Sequence, residues 1–286
     1  AVAIINPNRL DEESRHTQLA AVGVSFLLIV AINRALRENG FFAKKSSVKE
    51  PNLMNLLDIV ALGTVADMVP LTGVNRALVV QGLKVMAKRQ NKGLSALADV
   101  AGMDEAPSTY HLGFLMGPRV NAGGRVGESY LGAKLLSTIN SQEAVDIAQK
   151  LNAYNEERRD IEDAVLEEAL ALAELQAESK SSQSLVFVAG KDWHKGVIGI
   201  VASRLKERYG LPACVLTVKD GVATGSGRSV TGVDLGACII SAKQAGILLK
   251  GGGHAMAAGF SLESEKLSAF EKFLSERIGK KIFEEA

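Results

Sequence analysis

The chain has 286 residues and a net charge of +1, with 47% hydrophobic and 23% charged residues. This is the composition of an ordinary soluble protein that is long enough for two domains, and the total charge does not by itself indicate a nucleic-acid binder. The two cysteines, Cys214 and Cys238, lie in apolar segments without a CxxC spacing. That pattern argues against a disulfide framework or a zinc site and fits a reducing cytoplasm.

The first 140 residues are predicted to be mainly helical. The apolar run from Val2 to Ile5 predicts a core strand, and because natural chains rarely open on such a run, we expect sequence to precede Ala1. The hydrophobic stretch from Ala20 to Ile32 is too short to span a bilayer. It predicts a buried helix that runs over residues 17–39. Further helices are predicted over residues 53–62, from an Asn75 cap to about 89, over 94–101 and over 131–137.

A long helix is predicted from Ser141 to Glu178, because this segment contains no Gly or Pro. Its length would be roughly 57 Å at 1.5 Å per residue. It holds eleven acidic residues against three basic ones, so its net charge is −8 and the rest of the chain carries +9. We therefore predict an acidic helix that separates two basic lobes.

The polar run SKSSQS, residues 179–184, predicts a domain boundary. Beyond it, strands over residues 185–189, 213–218 and 222–225 alternate with helices over 198–209, 235–245 and 266–278, which predicts a small α/β domain. Half of the 28 glycines fall between Gly190 and Gly259. Glycine at this density lets backbone N–H groups approach a ligand, most commonly a phosphate.

Two segments of the first part could carry chemistry. In GTVADMVPL (63–71), Asp67 suits a hard divalent cation, although a lone carboxylate in a turn at a helix end is the simpler interpretation. In GPRVNAGGR (117–125), Arg119 and Arg125 flank Asn121 and Gly124 in a predicted glycine turn. Two guanidinium groups there suit a bidentate grip on a phosphodiester, whereas the alternative is a surface loop with solvated arginines.

Three further segments lie in the α/β domain. GSGRS (225–229) places Ser226, Arg228 and Ser229 after a strand. These residues could form an anion site, or the segment could be merely a loose hairpin. GGGHAMAAG (251–259) would let the backbone approach a sugar-phosphate, and a helix predicted to start near it would point free N–H groups at the anion. The alternative is close helix packing on small residues, with His254 as a hydrogen-bonded core group. The candidate residues are Gly251, Gly252, Gly253 and His254. In WHKGVIGIVASR (193–204), His194 and its tryptophan neighbour either stack on a base or fill the core.

Taken in order, these five segments resemble the motifs of the RecJ family within the DHH phosphoesterase superfamily. The likeness runs from INPNR near the start to the final helix. The resemblance implies an α/β fold of two lobes joined by a long helix: residues 1–140 as the C-terminal part of a DHH domain, 141–181 as the connecting helix, and 182–286 as a substrate-binding DHHA1 domain.

The resemblance also implies an activity, namely metal-dependent removal of nucleotides from the 5′ end of single-stranded DNA in repair and recombination. Asp67 would be a catalytic ligand of Mn²⁺ or Mg²⁺, and the other candidate residues would hold the strand in a cleft between the lobes. We expect a monomeric, cytoplasmic protein that binds single-stranded DNA and no membrane.

The sequence lacks the Asp-His-His triplet and the early DxDG-like segment of the family, so the remaining metal ligands are expected upstream of Ala1. The OB-fold that usually follows the DHHA1 domain would likewise lie after Ala286. We therefore expect this chain alone to be inactive. Two alternatives stay open: a DHH-family phosphodiesterase for short oligonucleotides or cyclic dinucleotides, and a non-catalytic nucleic-acid-binding protein.

Overall fold

A computed structural model describes residues 3–9, 11–44, 47–179 and 184–284 of the chain. The chain divides into two compact units, residues 1–155 and 156–286. The predicted linker SKSSQS falls mostly outside the described residues, as do Ala1 and Val2. The mixed α/β fold class is confirmed, because helices account for unit 1 and a five-stranded sheet with helices for unit 2.

All regular secondary structure in the described part of unit 1 is helical. Its helices are α1 (Ala21–Glu38), α2 (Phe41–Lys44), α3 (Leu57–Ala66), α4 (Gly73–Met86), α5 (Lys92–Val100), α6 (Gly117–Val126), α7 (Leu131–Ser137) and the first part of α8 (Ser141–Ser179). A 3₁₀ turn (Leu53–Leu56) precedes α3, and a π-helical stretch (His111–Met116) leads into α6. The core of the unit contains fully buried large side chains, among them Leu97, Leu112, Met116, Leu135 and Leu151.

Several expectations for the start of unit 1 are wrong. Ala3 to Ile5 form no strand, and Ile4 is 66% exposed, since the described part of unit 1 offers no strand with which to pair. Helix α1 is buried along only one side, where it packs against α3, and leaves a run of apolar side chains exposed from Leu27 to Val30. Asn75 does not cap α4; it is buried inside the helix, where its amide donates to the carbonyls of Gln18 and Pro70.

The segment GPRVNAGGR is also not a turn. It forms α6, with Pro118 in the first helical turn, where a missing N–H has no consequence. Gly123, which suggests a turn in the sequence, serves packing instead: a Cβ there would lie 2.5 Å from the carbonyl oxygen of Glu128. Close approach of α6 to its neighbours, rather than backbone freedom, therefore explains this glycine.

The long helix α8 is confirmed as one continuous element of 39 residues. Its apolar positions supply both units with core side chains. The first part buries Ala144, Ala148 and Leu151 in the core of unit 1, and the second part buries Ala169 and Ala173 in a core of unit 2.

Unit 2 is built on a mixed sheet with the strand order β1-β2-β3-β5-β4. Strands β1 and β2 are parallel, and all other neighbours are antiparallel. The strands are β1 (Val186–Lys191), β2 (Ala213–Lys219), β3 (Val222–Arg228), β4 (Lys250–His254) and β5 (Ala257–Glu263); the helices are α9 (Ile198–Tyr209), α10 (Leu235–Gln244) and α11 (Leu267–Glu284). The hairpin β4–β5 replaces the helix start that was predicted for GGGHAMAAG.

The two faces of this sheet are covered differently. Helices α10 and α11 pack on one face, which we call the inner face, with Phe260, Phe270 and Ile239 at the centre of that core. On the other face, α9 and the end of α8 cover β1 and β2 through residues such as Val188 and Val215. The outward residues of β3, β5 and β4 on that second face are half-buried or exposed. Part of the sheet is therefore left open.

Candidate nucleic-acid interface

The open face of β3, β5 and β4 brings together residues from two motifs that lie about 25 positions apart in the sequence. Residues of one strand face alternate sides, so every second residue faces outward. The register pairs Arg228 with Ala257 and Ala257 with His254, and it pairs Ser226 with Gly259 and Gly259 with Gly252. We call these two rows of outward residues the trough.

The floor of the trough has almost no side chains. A Cβ placed on Gly252 or Gly259 would have no heavy atom within 4 Å, so both positions face open space. Because adjacent strands lie about 4.8 Å apart, the two rows span roughly 9.6 Å from β3 to β4. A bare floor of this width, with Arg228 and His254 at its two sides, can accept an extended sugar-phosphate chain close to the backbone.

The first turn of α9 closes one side of the trough. A Cβ on Gly199 would lie 3.0 Å from Nη2 of Arg228 and 3.0 Å from Oγ of Ser226. Arg228 Nη1 also donates to Ser226 Oγ at 3.0 Å and to the carbonyl of Gly227 at 2.9 Å, which fixes the guanidinium beside the helix start. First-turn N–H groups and a guanidinium at one place form a natural site for an anion.

The two histidines of the unit 2 motifs occupy different positions. His254 is exposed at the end of β4, and its Nδ1 accepts from the backbone N–H of Met256 at 3.3 Å. His194 is exposed in the loop before α9, and its Nδ1 accepts from the N–H of Gly196 at 3.1 Å. Because Nδ1 is engaged in these contacts, Nε2 of each ring is the nitrogen left to donate a hydrogen bond to a phosphate oxygen.

Trp193 fills the core and does not present a face for base stacking. It is 6% exposed, its Nε1 donates to Glu168 Oε2 at 2.7 Å, and a Cβ on Gly190 would lie 2.0 Å from the indole ring. Of the two interpretations of the Trp193–His194 pair, core packing therefore describes the tryptophan.

Other predicted residues of unit 2 are turned away from the trough. Ser229 is 1% exposed, and its hydroxyl donates to the carbonyl of Val233 at 2.7 Å, so this side chain braces the turn after β3. Gly251 and Gly253 lie on the inner side of β4: a Cβ on Gly251 would lie 2.8 Å from Ile239, and one on Gly253 would lie 2.3 Å from the carbonyl oxygen of Ala257. These two glycines let β4 pack closely.

The α6 motif in unit 1 presents a polar helix face. Asn121, Gly124 and Arg125 are exposed and lie at spacings of three and four residues, hence on one side of α6. Arg119 lies on another side, where its Nε donates to Asn152 Oδ1 and its Nη1 to the carbonyl of Leu115, both at 2.8 Å. Its guanidinium ties α6 to α8, and the exposed face consists of the other three residues.

Asp67 and Asn121 come together at a small cavity of unit 1. Asp67 is the exposed residue directly after α3, and its backbone N–H donates to the carbonyl of Gly63 at 3.0 Å. The cavity has a volume of about 280 Å³ and is lined by both residues together with small side chains of α1 and α3. Two motifs that are more than 50 residues apart thus line one concave surface.

The described residues do not by themselves fit a two-metal site. Asp67 is the one carboxylate that lines this cavity, and no group of three or more His, Cys, Asp or Glu side chains in the described parts of the chain could hold a metal ion. A divalent cation of this type takes about six oxygen ligands. Asp67 and the Asn121 amide could supply two of these ligands, so the described residues alone do not complete a metal site.

The loop after α6 is held to α8 by a charged cluster. Lys150 and the hydroxyls of Tyr130 and Tyr154 all donate to the carboxylate of Glu128, and together they lower the pKa of Glu128 to about 2. This cluster fixes the end of α6, the helix that presents Asn121 and Arg125.

Sequence patterns do not reveal several residues of the trough. Gly259 and Gly199 are among them, because their importance depends on which strand or helix lies beside them. The alternation in AAGFSLE (257–263), with bulky residues at every second position, is the available signal for β5 and for its small outward residues.

Across the described ranges, no helix combines the length and the apolar character that a membrane span requires.

Comparison with known proteins gives a domain family and a set of relatives. A family model described as the DHHA1 domain matches residues 182–280, which include the whole sheet of unit 2. The single-stranded-DNA-specific exonuclease RecJ of Dickeya dadantii is 41% identical over 285 residues, which cover 98% of this chain and 49% of that protein.

Solved structures give the same result. The chain is similar to crystal structures of RecJ from Thermus thermophilus in complex with Mn²⁺ and with Mg²⁺. For the Mn²⁺ complex the TM-score is 0.75 at 29% identity, covering 90% of this chain and 36% of that one. For the Mg²⁺ complex the TM-score is 0.76 at 28% identity, covering 96% and 39%.

The chain therefore contains a DHHA1 domain on a mixed α/β fold. Over nearly all of its length it is RecJ-like, as the resemblance of its motifs predicts. It spans about half the length of the curated relatives it matches.

Proposed function

We propose that this chain is the strand-holding part of a RecJ-like 5′–3′ exonuclease and binds single-stranded DNA along the trough. The convergence of Ser226, Arg228, Gly252 and His254 on one open sheet face is the observation that carries the proposal. A terminal phosphate fits beside Arg228 and the first turn of α9, because both offer N–H donors at the same place.

In the proposed mechanism each unit has its own task. Arg228 and Ser226 hold the 5′-terminal phosphate, and His254 donates from Nε2 to the next part of the sugar-phosphate chain. In unit 1, Arg125 and Asn121 on α6 contact the backbone, while Arg119 positions α6 through Asn152. The relatives of known structure bind Mn²⁺ or Mg²⁺, and such a metal would supply activated water and charge stabilisation. Asp67 is the proposed ligand from this chain.

The biological setting is part of the same proposal. We infer that the parent activity serves DNA repair and recombination, that the protein acts as a monomer, and that it resides in the cytoplasm. The domain division at residues 140 and 181 also belongs to this proposal, with 1–140 as the C-terminal part of a DHH domain.

Replacing Arg228 tests the proposal. Arg228→Ala should weaken binding of a 3′-labelled, 5′-phosphorylated oligothymidylate by about tenfold or more, because a charge-assisted contact contributes about 1.5–3 kcal/mol. Fluorescence anisotropy measures the affinity. Arg277→Ala is the matched control, since Arg277 is an exposed arginine on α11, the helix that covers the inner face of the sheet.

The log–log slope of affinity against salt provides the second readout. Removal of one phosphate contact should reduce the slope by about 0.7, without regard to base sequence. Equal affinities and slopes for the wild type and both variants would show that Arg228 is an ordinary surface residue, and the proposed site would be abandoned.

A further inference from the structure

A third row of outward residues continues the trough beyond the sequence motifs. The register pairs Thr224 with Ser261 and Ser261 with Lys250, two residues further along each strand than the row of Ser226, Gly259 and Gly252. All three side chains are polar. On β2 the row continues to Thr217, which is 2% exposed and whose Oγ1 has no hydrogen-bond partner among the described residues.

The orientation of Lys250 follows from its neighbours on β4. Gly251 faces the inner core, because a Cβ there would contact Ile239 and Leu248. Alternation then turns Lys250, Gly252 and His254 to the open side. Lys250 is exposed, and within the described chain its ammonium group makes no ion pair, whereas Lys266 pairs with Glu263 at 3.1 Å. Among the residues that the structure describes, Lys250 is thus a cation without a carboxylate partner at the edge of the trough.

Lys250 and Arg228 lie far apart on the sheet. They are two strands apart, about 9.6 Å, and four residues apart along the strands, about 13 Å, which puts their Cα atoms roughly 16 Å apart. The guanidinium of Arg228 is tied to the Ser226 hydroxyl and to the carbonyl of Gly227, so it stays beside its own row. We therefore expect separate phosphates at Arg228 and at Lys250.

We propose that Lys250, with the hydroxyls of Ser261 and Thr224, binds an internal phosphate of a DNA strand whose 5′ end lies at Arg228. The inference rests on the proposed function and extends it by a second phosphate site. It also gives the strand a direction across the sheet, from the row of Arg228 to the row of Lys250.

Binding of two ligands of different length tests the proposal. Lys250→Ala should weaken the binding of a 5′-phosphorylated oligothymidylate of about 12 nucleotides by about fivefold. It should also reduce the log–log slope of affinity against salt by about 0.7. The same variant should leave competition by thymidine 5′-monophosphate unchanged, because a single nucleotide at Arg228 does not reach Lys250. Lys250→Arg should restore the slope, since it restores the charge.

The matched control is Lys272→Ala, which removes the same charge from a 79%-exposed lysine on α11. Thermal unfolding of every variant verifies the fold. The proposal is overturned if Lys250→Ala and Lys272→Ala bind the oligonucleotide alike, or if Lys250→Ala weakens the mononucleotide as much as the oligonucleotide. If Arg228→Ala binds weakly while the two lysine variants match the wild type, this inference fails and the proposed function stands; if the wild-type chain does not bind the oligonucleotide, both fail.

Discussion

Filling the floor of the trough should separate binding from folding. Gly252→Val adds an isopropyl group on the open side of β4, where a Cβ has no heavy atom within 4 Å. The fold should tolerate it: glycine inside a strand costs about 0.5–1 kcal/mol, and valine suits an extended backbone. We expect the free energy of unfolding to stay the same or to rise by up to about 1 kcal/mol.

Binding of single-stranded DNA should respond in the opposite direction. The new side chain lies beside Gly259 and one row from Arg228 and His254. A strand held away from the floor loses at least one charge-assisted contact, so affinity should fall by about tenfold or more.

The neighbouring glycine supplies the contrast. In Gly253→Ala the new Cβ would lie 2.3 Å from the carbonyl oxygen of Ala257 and 2.6 Å from Cα of Ala258, so β4 has to move away from β5. Such overpacking costs about 1–3 kcal/mol. Urea unfolding and anisotropy on the same samples measure both quantities. If Gly252→Val binds the oligonucleotide like the wild type, the strand does not lie on this floor; if Gly253→Ala is as stable as the wild type, the close packing of β4 was misjudged.

Two further outcomes are expected. Lys150 and two tyrosines lower the pKa of Glu128, so its contribution to stability is complete above its ordinary pKa of 4.5 and is lost as the pH falls toward about 2. The melting temperatures of the wild type and of Glu128→Gln should therefore differ at neutral pH and converge in acid. Parallel curves of melting temperature against pH would contradict this. The chain alone should release no nucleotides from 5′-phosphorylated single-stranded DNA with Mn²⁺, because Asp67 cannot hold two metals; release well above a blank, abolished by Asp67→Asn, would refute it.

The sequence by itself determined most of the local structure. The absence of Gly and Pro from residues 141–178 predicted α8 nearly residue for residue, and the bounds of α7 and α9 were also predicted correctly. These elements depend on backbone preferences, which a single segment carries within itself. The resemblance to RecJ came from motif order, which is likewise a property of the linear chain.

The structure of the glycine-rich segments was predicted wrongly, for a physical reason. Glycine permits a turn, but it also permits close packing, and only the neighbouring element decides which. In α6 the neighbour of Gly123 is the carbonyl of Glu128, and in β4 the neighbours of Gly251 and Gly253 are α10 and β5. Segments predicted as a turn and a helix start are therefore a helix and an edge strand.

The arrangement of the candidate site depends almost entirely on the tertiary structure. Sequence chemistry could nominate Arg228 and His254 as ligands of an anion, because guanidinium and imidazole groups suit phosphate wherever they lie. It could not place them in one row, since pairing across β5 depends on sheet register, and a shift by one residue would turn either side chain to the inner face. The same register placed Lys250 on the open side, and no motif marks that residue.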